Sequence, residues 1–343
     1  MIISLFWSDY LGDSLVGLVY FLPPLAIYII AFCYFSGKEG LLKILLASLA
    51  SSLVPVFITL YQIIHKQYFF SPDSNLGRLQ GPFNHPNLLG LHIFVIIALF
   101  ISYYLAKEDK KISHNLFIIL YNLILLAILV LTYSRVSWAC LGLFLLILVY
   151  IRRNLIALFI AFSPVAAILA ISIKNIRLRI IETFSGSLFS SWSARLNIWK
   201  ISFSEIVKRP IFGNGIGTSE KIIEQAKSWQ GGTIRPHNDL VLYGLELGII
   251  GIIIFFAYTI GIIYYCRKTF ICLNNKYETV QIYNKKFIIN FKILSFGIMA
   301  IFLSLLLANG FEAISRRIVT QIVVWAILGC LFSLKISEKK YAK

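Results

Sequence analysis

Long, nearly uncharged apolar runs alternate with short polar segments along most of the chain. Nine such runs occur, at roughly 14–35, 44–64, 87–106, 115–133, 136–151, 154–173, 240–266, 293–308 and 318–334. A helix of about 20 apolar residues spans a hydrocarbon core, and in lipid it satisfies its backbone hydrogen bonds internally. The pattern therefore predicts an all-α integral membrane protein, a polytopic bundle of about nine transmembrane helices.

One polar segment is much longer than the others and divides the chain into three parts. The prediction is six transmembrane helices in residues 1–173, a large helical loop in 174–237, and three further helices with a C-terminal tail in 238–343. Within the loop, apolar residues at helical spacing predict an interfacial helix near residues 173–184. A second amphipathic helix is predicted from Arg195 to Arg209, and its apolar face would carry Leu196, Trp199, Phe203, Ile206 and Val207.

A glycine cluster, Gly213-Asn214-Gly215-Ile216-Gly217, follows this helix and resembles a phosphate-binding loop. A dinucleotide fingerprint requires a preceding buried strand, whereas an amphipathic helix and Pro210 precede this cluster. We therefore interpret it as a turn before a short helix that Thr218 or Ser219 caps and that reaches Trp229.

The distribution of basic residues predicts how the spans are oriented. With the N-terminus outside, the inner loops and the tail collect seventeen Lys and Arg residues, whereas the short outer segments hold five. Because cytoplasmic loops are enriched in positive charge, this arrangement places the 174–237 loop outside and the two termini on opposite sides. Hydrophobic residues make up 59% of the chain and the mean hydropathy is +0.82, which excludes an ordinary soluble protein.

The large loop is basic even though its predicted side of the membrane does not require positive charge. From Lys174 to Arg235 it holds ten basic and four acidic residues. Such an excess favours a polyanionic partner at the outer surface. The alternative is a loop that rests on anionic lipid headgroups.

Candidate functional residues lie at four places along the predicted outer edge. Arginine binds phosphate oxygens in a bidentate manner, and a neutral imidazole can accept a proton from an attacking hydroxyl. The candidates are Arg78 and His85 before the third span, Arg135 between the fourth and fifth, Arg195 in the loop, and Arg235 and His237 before the seventh span. Structural alternatives are a solvated charge for Arg78 and a helix cap for His85. Glu246 lies deep in the seventh span and is expected to pair with an arginine or a buried hydroxyl.

Several motifs that indicate other chemistry are missing from the sequence. It contains no Asp-x-Asp, no cysteine-rich ligand set, no P-loop lysine and no Gly-x-Ser-x-Gly motif, so neither a metal nor another cofactor is expected. The five cysteines fall within predicted spans or on the inner side, and no disulfide is expected in the outer loop.

Taken in order, these motifs resemble the O-antigen ligase and polymerase superfamily. Its members are membrane glycosyltransferases that take glycans from undecaprenyl diphosphate on the outer side of the bacterial inner membrane. The similar segments are RLQGPFNHPN from Arg78, the Ser134-Arg135 turn, Arg195-x₃-Trp199 followed by KRPIFGNGIG, HNDL-x₅-E-x-G-x₂-G from His237, and GFE at Gly310–Glu312. The chain departs from the family in its nine spans, where ten to twelve are usual, so one or more N-terminal crossings are expected to be missing.

The resemblance implies a role for each matching residue. Arg135 and Arg195 would hold the donor diphosphate, with help from Arg78 or Arg235, and His237 would be the catalytic base. Supporting roles fall to His85, Asn238, Glu246 and Glu312. The implied partners are an undecaprenyl-diphosphate-linked glycan, an acceptor lipid or glycan and membrane lipids, with no nucleic acid. The implied location is the bacterial inner membrane, with the site facing the periplasm or exterior.

Three alternatives remain open at the level of sequence. The same motifs fit a polymerase that joins two undecaprenyl-linked chains, as well as a ligase that transfers to lipid A-core or a similar acceptor. A polysaccharide or lipid transporter would also need many spans, but its ionisable groups usually gather near the membrane midplane, which is almost free of them in this sequence. A scaffolding membrane protein would not need basic residues at four separate outer positions.

Overall fold

The computed structural model describes residues 1–71, 74–108, 112–151, 174–184, 191–226 and 235–341. Their helices are α1 (Leu11–Val19), α2 (Leu22–Tyr34), α3 (Gly37–Ser51), α4 (Leu53–Ile64), α5 (Pro86–Ala106), α6 (Ile112–Leu131), α7 (Arg135–Ile151), α8 (Lys174–Phe184), α9 (Ser191–Lys208), α10 (Ser219–Gln225), α11 (Asp239–Cys272), α12 (Phe291–Asn309) and α13 (Ile318–Tyr341). Short 3₁₀ helices occupy Ile2–Trp7 and Ile314–Arg316. Two antiparallel hairpins, β1 (Phe69–Ser71) with β2 (Ser74–Arg78) and β3 (Glu278–Ile282) with β4 (Lys285–Ile289), were not predicted.

The helices confirm the predicted all-α membrane fold. Five segments are long and apolar enough to cross a membrane: Leu11–Tyr34, Gly37–Ile64, Pro86–Ala106, Asp239–Cys272 and Phe291–Asn309. Three shorter apolar helical segments are Ile118–Leu131, Arg135–Tyr150 and Ile318–Leu334. Together they correspond to eight of the nine predicted spans, and the ninth, 154–173, lies outside the described residues. The most deeply buried span is α5, which packs against α6, α7 and α12.

Loops that connect the helices gather at two opposite ends of the bundle. At one end, which we call the basic end, Asn290 N donates to Ala106 O at 2.8 Å. The Lys38 ammonium contacts the Glu278 carboxylate at 2.7 Å. Gly37 N donates to the Ser333 hydroxyl at 3.1 Å. These segments belong to the loops whose basic residues the charge pattern assigns to the inner side.

At the other end, the site end, four separate segments contact one another. Leu79 N donates to Leu131 O at 3.2 Å. The Asn238 side chain donates to Gly310 O at 3.1 Å. Ser315 N donates to the Asp239 carboxylate at 3.2 Å. The segments that hold most of the predicted functional residues therefore meet at one place.

Helix α11 is broken at Gly248, where the backbone takes φ 64° and ψ −154°. The break leaves carbonyl groups of α11 without a donor from the same helix. One of them, Glu246 O, accepts a hydrogen bond from Gly215 N at 2.8 Å. A Cβ on Gly213 would lie 2.4 Å from the Glu246 carbonyl carbon, so the backbones approach too closely for any side chain at that position.

The glycine cluster is a turn, as predicted, because its amides are used within the protein. Gly213 N donates to Arg209 O, Asn214 N to Leu245 O, and Ile216 N to the Ser4 hydroxyl. These donors are therefore not available to a phosphate group. The helix that follows ends at Gln225, where Ala226 is extended, and its predicted continuation beyond residue 226 lies outside the described residues.

Helix α9 forms where it was predicted and ends just before Pro210, but much of its predicted buried face is exposed. Ile198 and Ile201 are buried against Ile223 and Leu245. Of the residues predicted to be buried, Leu196, Phe203 and Val207 are exposed, and Trp199 and Ile206 are half-buried. Apolar residues occur on both sides of this helix, so periodicity alone does not distinguish the side that packs against protein.

Candidate functional site

Glu312 lies at the centre of the site end and joins three segments of the chain. Its side chain is 1% exposed. One carboxylate oxygen accepts a hydrogen bond from Arg317 Nη2 at 2.6 Å and lies 3.2 Å from His237 Nδ1. The other oxygen accepts a hydrogen bond from the Asn87 amide at 3.2 Å. Glu312 therefore links the first turn of α5, the loop before α11 and the loop before α13.

The pKa of Glu312 is set by competing effects. Burial by itself would raise the pKa, because an ionised carboxylate is disfavoured away from water. The hydrogen bond with His237 and the positive charge of Arg317 outweigh burial and hold the pKa well below its usual range. At neutral pH, Glu312 is consequently a buried carboxylate anion.

His237 is held in a defined orientation by its neighbours. Its backbone takes φ +50°, a left-handed conformation that is uncommon and unfavourable for a residue other than glycine. Next to it, Asn238 caps α11 by accepting a hydrogen bond from Val241 N at 3.1 Å. If Nδ1 carries the proton and donates it to Glu312, the acceptor lone pair of the ring lies on Nε2.

Arg78 and His85 surround this cluster from the loop before α5. Arg78 is buried, and its guanidinium donates to Thr132 O and to the Asn87 side chain, both at 2.8 Å. It is therefore not a solvated loop charge. His85 caps α5, because its Nδ1 accepts a hydrogen bond from Asn87 N at 3.1 Å.

His85 is neutral at neutral pH. Burial lowers its pKa to about 4, and the positive charges of Arg78 and Arg317 act in the same direction. Only the Glu312 carboxylate opposes these effects. His85 Nδ1 therefore keeps the lone pair with which it caps α5 throughout the physiological pH range.

A second ion pair lies beside the first. The Arg316 guanidinium is hydrogen-bonded to the Glu246 carboxylate, and it also donates to Gly17 O at 3.3 Å. The rings of Tyr20 and Phe21 lie 5.9 and 5.5 Å from the same guanidinium. The expectation that Glu246 pairs with an arginine is thus confirmed.

Arg316, Arg317 and Asn87 were not predicted as site residues. The two arginines resemble ordinary charges at the start of a membrane span, and Glu246 precedes its partner by seventy residues. One available signal was the pair of adjacent arginines four and five residues after the predicted Glu312. Asn87 lies in the motif that includes His85, and it joins Arg78 to Glu312.

A cavity of about 350 Å³ opens beside these ion pairs. Its lining includes His237, Arg235, Arg316, Arg317 and Glu246, together with residues of α1. Arg235 is exposed and forms an ion pair with Glu220 at 2.9 Å. An imidazole, three guanidinium groups and carboxylates therefore face one space, an arrangement that can bind an anion and move a proton.

Arg135 and Arg195 lie on segments that contact this region. Arg135 is the first residue of α7 and is half-buried, and the preceding turn includes Thr132, the partner of Arg78. Arg195 is half-buried in α9, and one helical turn later Trp199 Nε1 donates to Pro236 O at 2.7 Å. Both helices are thus tied to the site by residues one turn or less from the predicted arginines.

Comparisons with known proteins identify the same part of the chain. Residues 120–256 match the family model described as O-Antigen ligase. This segment contains Arg135, Arg195, Arg235, His237 and Glu246, whereas the loops of Arg78 and Glu312 lie outside it.

Similar proteins occur in Rickettsia. A candidate polysaccharide ligase of Rickettsia conorii is 34% identical over 90 residues, which cover 24% of this chain and 21% of that protein. Another candidate polysaccharide ligase, from Rickettsia bellii, is 26% identical over 228 residues, which cover 55% of each chain. The alignments thus span about half or less of the length of these relatives. The family model and these relatives together show that the central part of this chain is similar to O-antigen ligases.

Proposed function

We propose that this protein is a ligase-type glycosyltransferase that moves a glycan from undecaprenyl diphosphate to the hydroxyl group of an acceptor. Lipid A-core or a similar molecule is the proposed acceptor. The observation that carries the proposal is the pairing of His237 with the buried Glu312 at the edge of a cavity that guanidinium groups line. This pair can orient a neutral imidazole as a base, and the arginines can bind a phosphate-bearing donor.

The proposed reaction is a displacement at C1 of the donor sugar. His237 Nε2 removes the proton of the acceptor hydroxyl, and the acceptor oxygen attacks C1. The bond from C1 to the phosphate oxygen breaks, and undecaprenyl diphosphate leaves with that electron pair. Because attack comes from the face opposite the leaving group, the anomeric configuration inverts.

Arginine residues would stabilise the negative charge that develops on the leaving diphosphate. We assign this role to Arg135 and Arg195, with Arg78 and Arg235 in support. Of these four, Arg235 lines the cavity, and the others lie on segments that contact the site. Diphosphate is already a good leaving group, so anion stabilisation matters more than a strong general acid. The sequence contains no motif for a divalent cation or a nucleotide, and the proposed step requires neither.

The site is proposed to face the outside of the bacterial inner membrane. This orientation rests on the charge distribution, in which the loops of the basic end carry most of the lysine and arginine residues outside the large loop. An alkaline phosphatase fusion after Lys227 should be active, and a fusion after Lys276 should be inactive. The reverse pattern would contradict the orientation.

The proposed activity is tested directly with purified protein. Given an undecaprenyl-diphosphate-linked glycan and a core-type lipid acceptor, the protein should label the acceptor without lengthening the donor chain. A ladder of longer donor chains would instead identify a polymerase of the same superfamily. If neither product forms and the donor stays intact in the presence of acceptor, both assignments are contradicted. A transporter is then the alternative.

A further inference from the structure

The residues that line the cavity at the site end include two chemically different groups. In the first group, His237 and Arg317 contact Glu312, and Arg235 pairs with Glu220. The second group consists of Asp13 of α1, Tyr20, which follows α1, and Glu246 of α11. We call these three residues the acidic wall.

Glu246 presents a carboxylate oxygen that lacks a partner. Its Oε2 atom is bonded to Arg316, but its Oε1 atom is buried and has no hydrogen-bond partner within the described part of the chain. The side chain is only 1% exposed, and it lines the cavity. An unsatisfied buried oxygen is unfavourable, so a hydroxyl group of a bound molecule would be stabilised there.

Asp13 supplies a second carboxylate. It lies in the first turn of α1, is half-buried and lines the same cavity. Among the described residues it has neither a hydrogen-bond nor an ion-pair partner. Its carboxylate is therefore available to a molecule in the cavity.

Helix α1 is held firmly enough to form a wall. A Cβ on Gly17 would lie 2.5 Å from the Cα of Gly217, so the two backbones are in direct contact. Arg316 donates a hydrogen bond to Gly17 O and lies beside the ring of Tyr20. The same arginine therefore positions both Glu246 and the end of α1.

We propose that the acidic wall binds the acceptor glycan. Asp13 and the Oε1 atom of Glu246 would accept hydrogen bonds from sugar hydroxyls, and the Tyr20 ring would pack on the apolar face of a sugar ring. A diphosphate would be repelled by two carboxylates, so the donor phosphates belong on the arginine side. The inference rests on the proposed function, since it names the site of the second substrate.

Kinetics with two substrates test the assignment. In Asp13→Asn and Glu246→Gln proteins, the KM for the acceptor should rise about tenfold or more, because a hydrogen bond to a charged group contributes that much to binding. The KM for the donor should change less than about twofold. Asp9→Asn is the matched control, because Asp9 lies in the same N-terminal segment but forms an exposed ion pair with Arg209. An equal rise in both KM values, or no rise in either, would overturn the inference.

A binding measurement keeps the test independent of turnover. The full-length protein in nanodiscs is mixed with a panel of methyl hexosides and heptosides, and saturation-transfer NMR records which of them bind. Wild-type and Asp9→Asn proteins should bind at least one glycoside, and Asp13→Asn should lose that binding. Binding that survives in Asp13→Asn, or no binding by the wild type, would overturn the inference without affecting the proposed transfer. Binding without transfer from undecaprenyl diphosphate would instead contradict the proposed function and leave the glycan site intact.

Discussion

The two ends of the helix bundle use charge in different ways. At the basic end, the paired side chains of Lys38 and Glu278 are 28% and 33% exposed. At the site end, the paired side chains of Arg317 and Glu312 are 12% and 1% exposed. An exposed pair contributes about 0–1 kcal/mol to stability, whereas burying an ion costs several kcal/mol before its partner compensates.

This difference indicates that the charged residues at the two ends have different roles. Scattered lysines and arginines at the basic end need only provide positive charge on one side of the membrane. The site end keeps Glu312, Glu246 and Arg78 buried, and fold stability alone does not explain buried charges of this kind. Buried ionisable groups beside a cavity are typical of functional sites.

The largest expected effect comes from the proposed base. His237→Ala should lower transfer by about a thousandfold or more, because it removes the group that accepts the proton. The level of protein in the membrane should not change. Initial rates of acceptor labelling measure the loss, and rates near those of the wild type would remove His237 from the mechanism.

Arg135→Ala and Arg195→Ala should have the next largest effect. Removal of one anion-stabilising donor typically lowers the rate about 10²–10³-fold. We expect a lower kcat and a higher KM for the donor, whereas the KM for the acceptor should change little. Lys substitution should restore part of the rate through its charge, and a full rate in either Ala variant would exclude that arginine from diphosphate binding.

Glu312→Gln should reduce stability much more than a matched change at the basic end. The substitution leaves the buried Arg317 without its anionic partner, and breaking a buried pair costs about 3–5 kcal/mol. Thermal unfolding in nanodiscs measures the loss. A shift as small as that of Glu278→Gln would show that the two ends do not differ energetically.

His85 should make stability depend on pH. Its pKa in the folded protein, about 4, lies below the ordinary value of 6.5. Between these values the unfolded chain binds a proton that the folded protein does not, so stability falls as pH decreases from 6.5 to 4. His85→Asn keeps a capping side chain that does not titrate. Measured at several pH values, the free energy of unfolding of this variant should depend less on pH than that of the wild type. The difference in slope should be up to about 1.4 kcal/mol per pH unit.

The smallest effect is expected at the basic end. Lys38→Ala should change stability by less than about 1 kcal/mol and leave transfer unchanged, because its ion pair with Glu278 is partly exposed. Loss of transfer in this variant would show that the basic end influences the site.

The apolar runs predict most of the fold because membrane helices follow directly from length and hydrophobicity. For α9, hydrophobic spacing does not predict which side is buried. Phe203 and Val207 are exposed, whereas Ile198 and Ile201 are buried. The apolar side of a helix usually faces the core, but α9 carries apolar residues on both of its sides. Hydrophobic spacing then predicts the helix but not its orientation.

The candidate site is only partly predictable for a different reason. Glu246 is conspicuous in the sequence because an ionisable residue inside an apolar run is unusual, and His237 is conspicuous because it begins the HNDL motif. The partners of these residues come from distant segments, since Glu312 follows His237 by seventy-five positions. Periodicity carries no information about such pairings, and Arg316 and Arg317 therefore resembled ordinary flanking charges.

The break in α11 also constrains the order in which the protein can be assembled. The turn at residues 213–217 obtains hydrogen-bond acceptors from Leu245 and Glu246, about thirty positions later in the chain. During synthesis the turn leaves the ribosome before those acceptors exist. The large loop therefore completes its folding only after the following membrane helix has been made, which couples maturation of the loop to insertion of that helix.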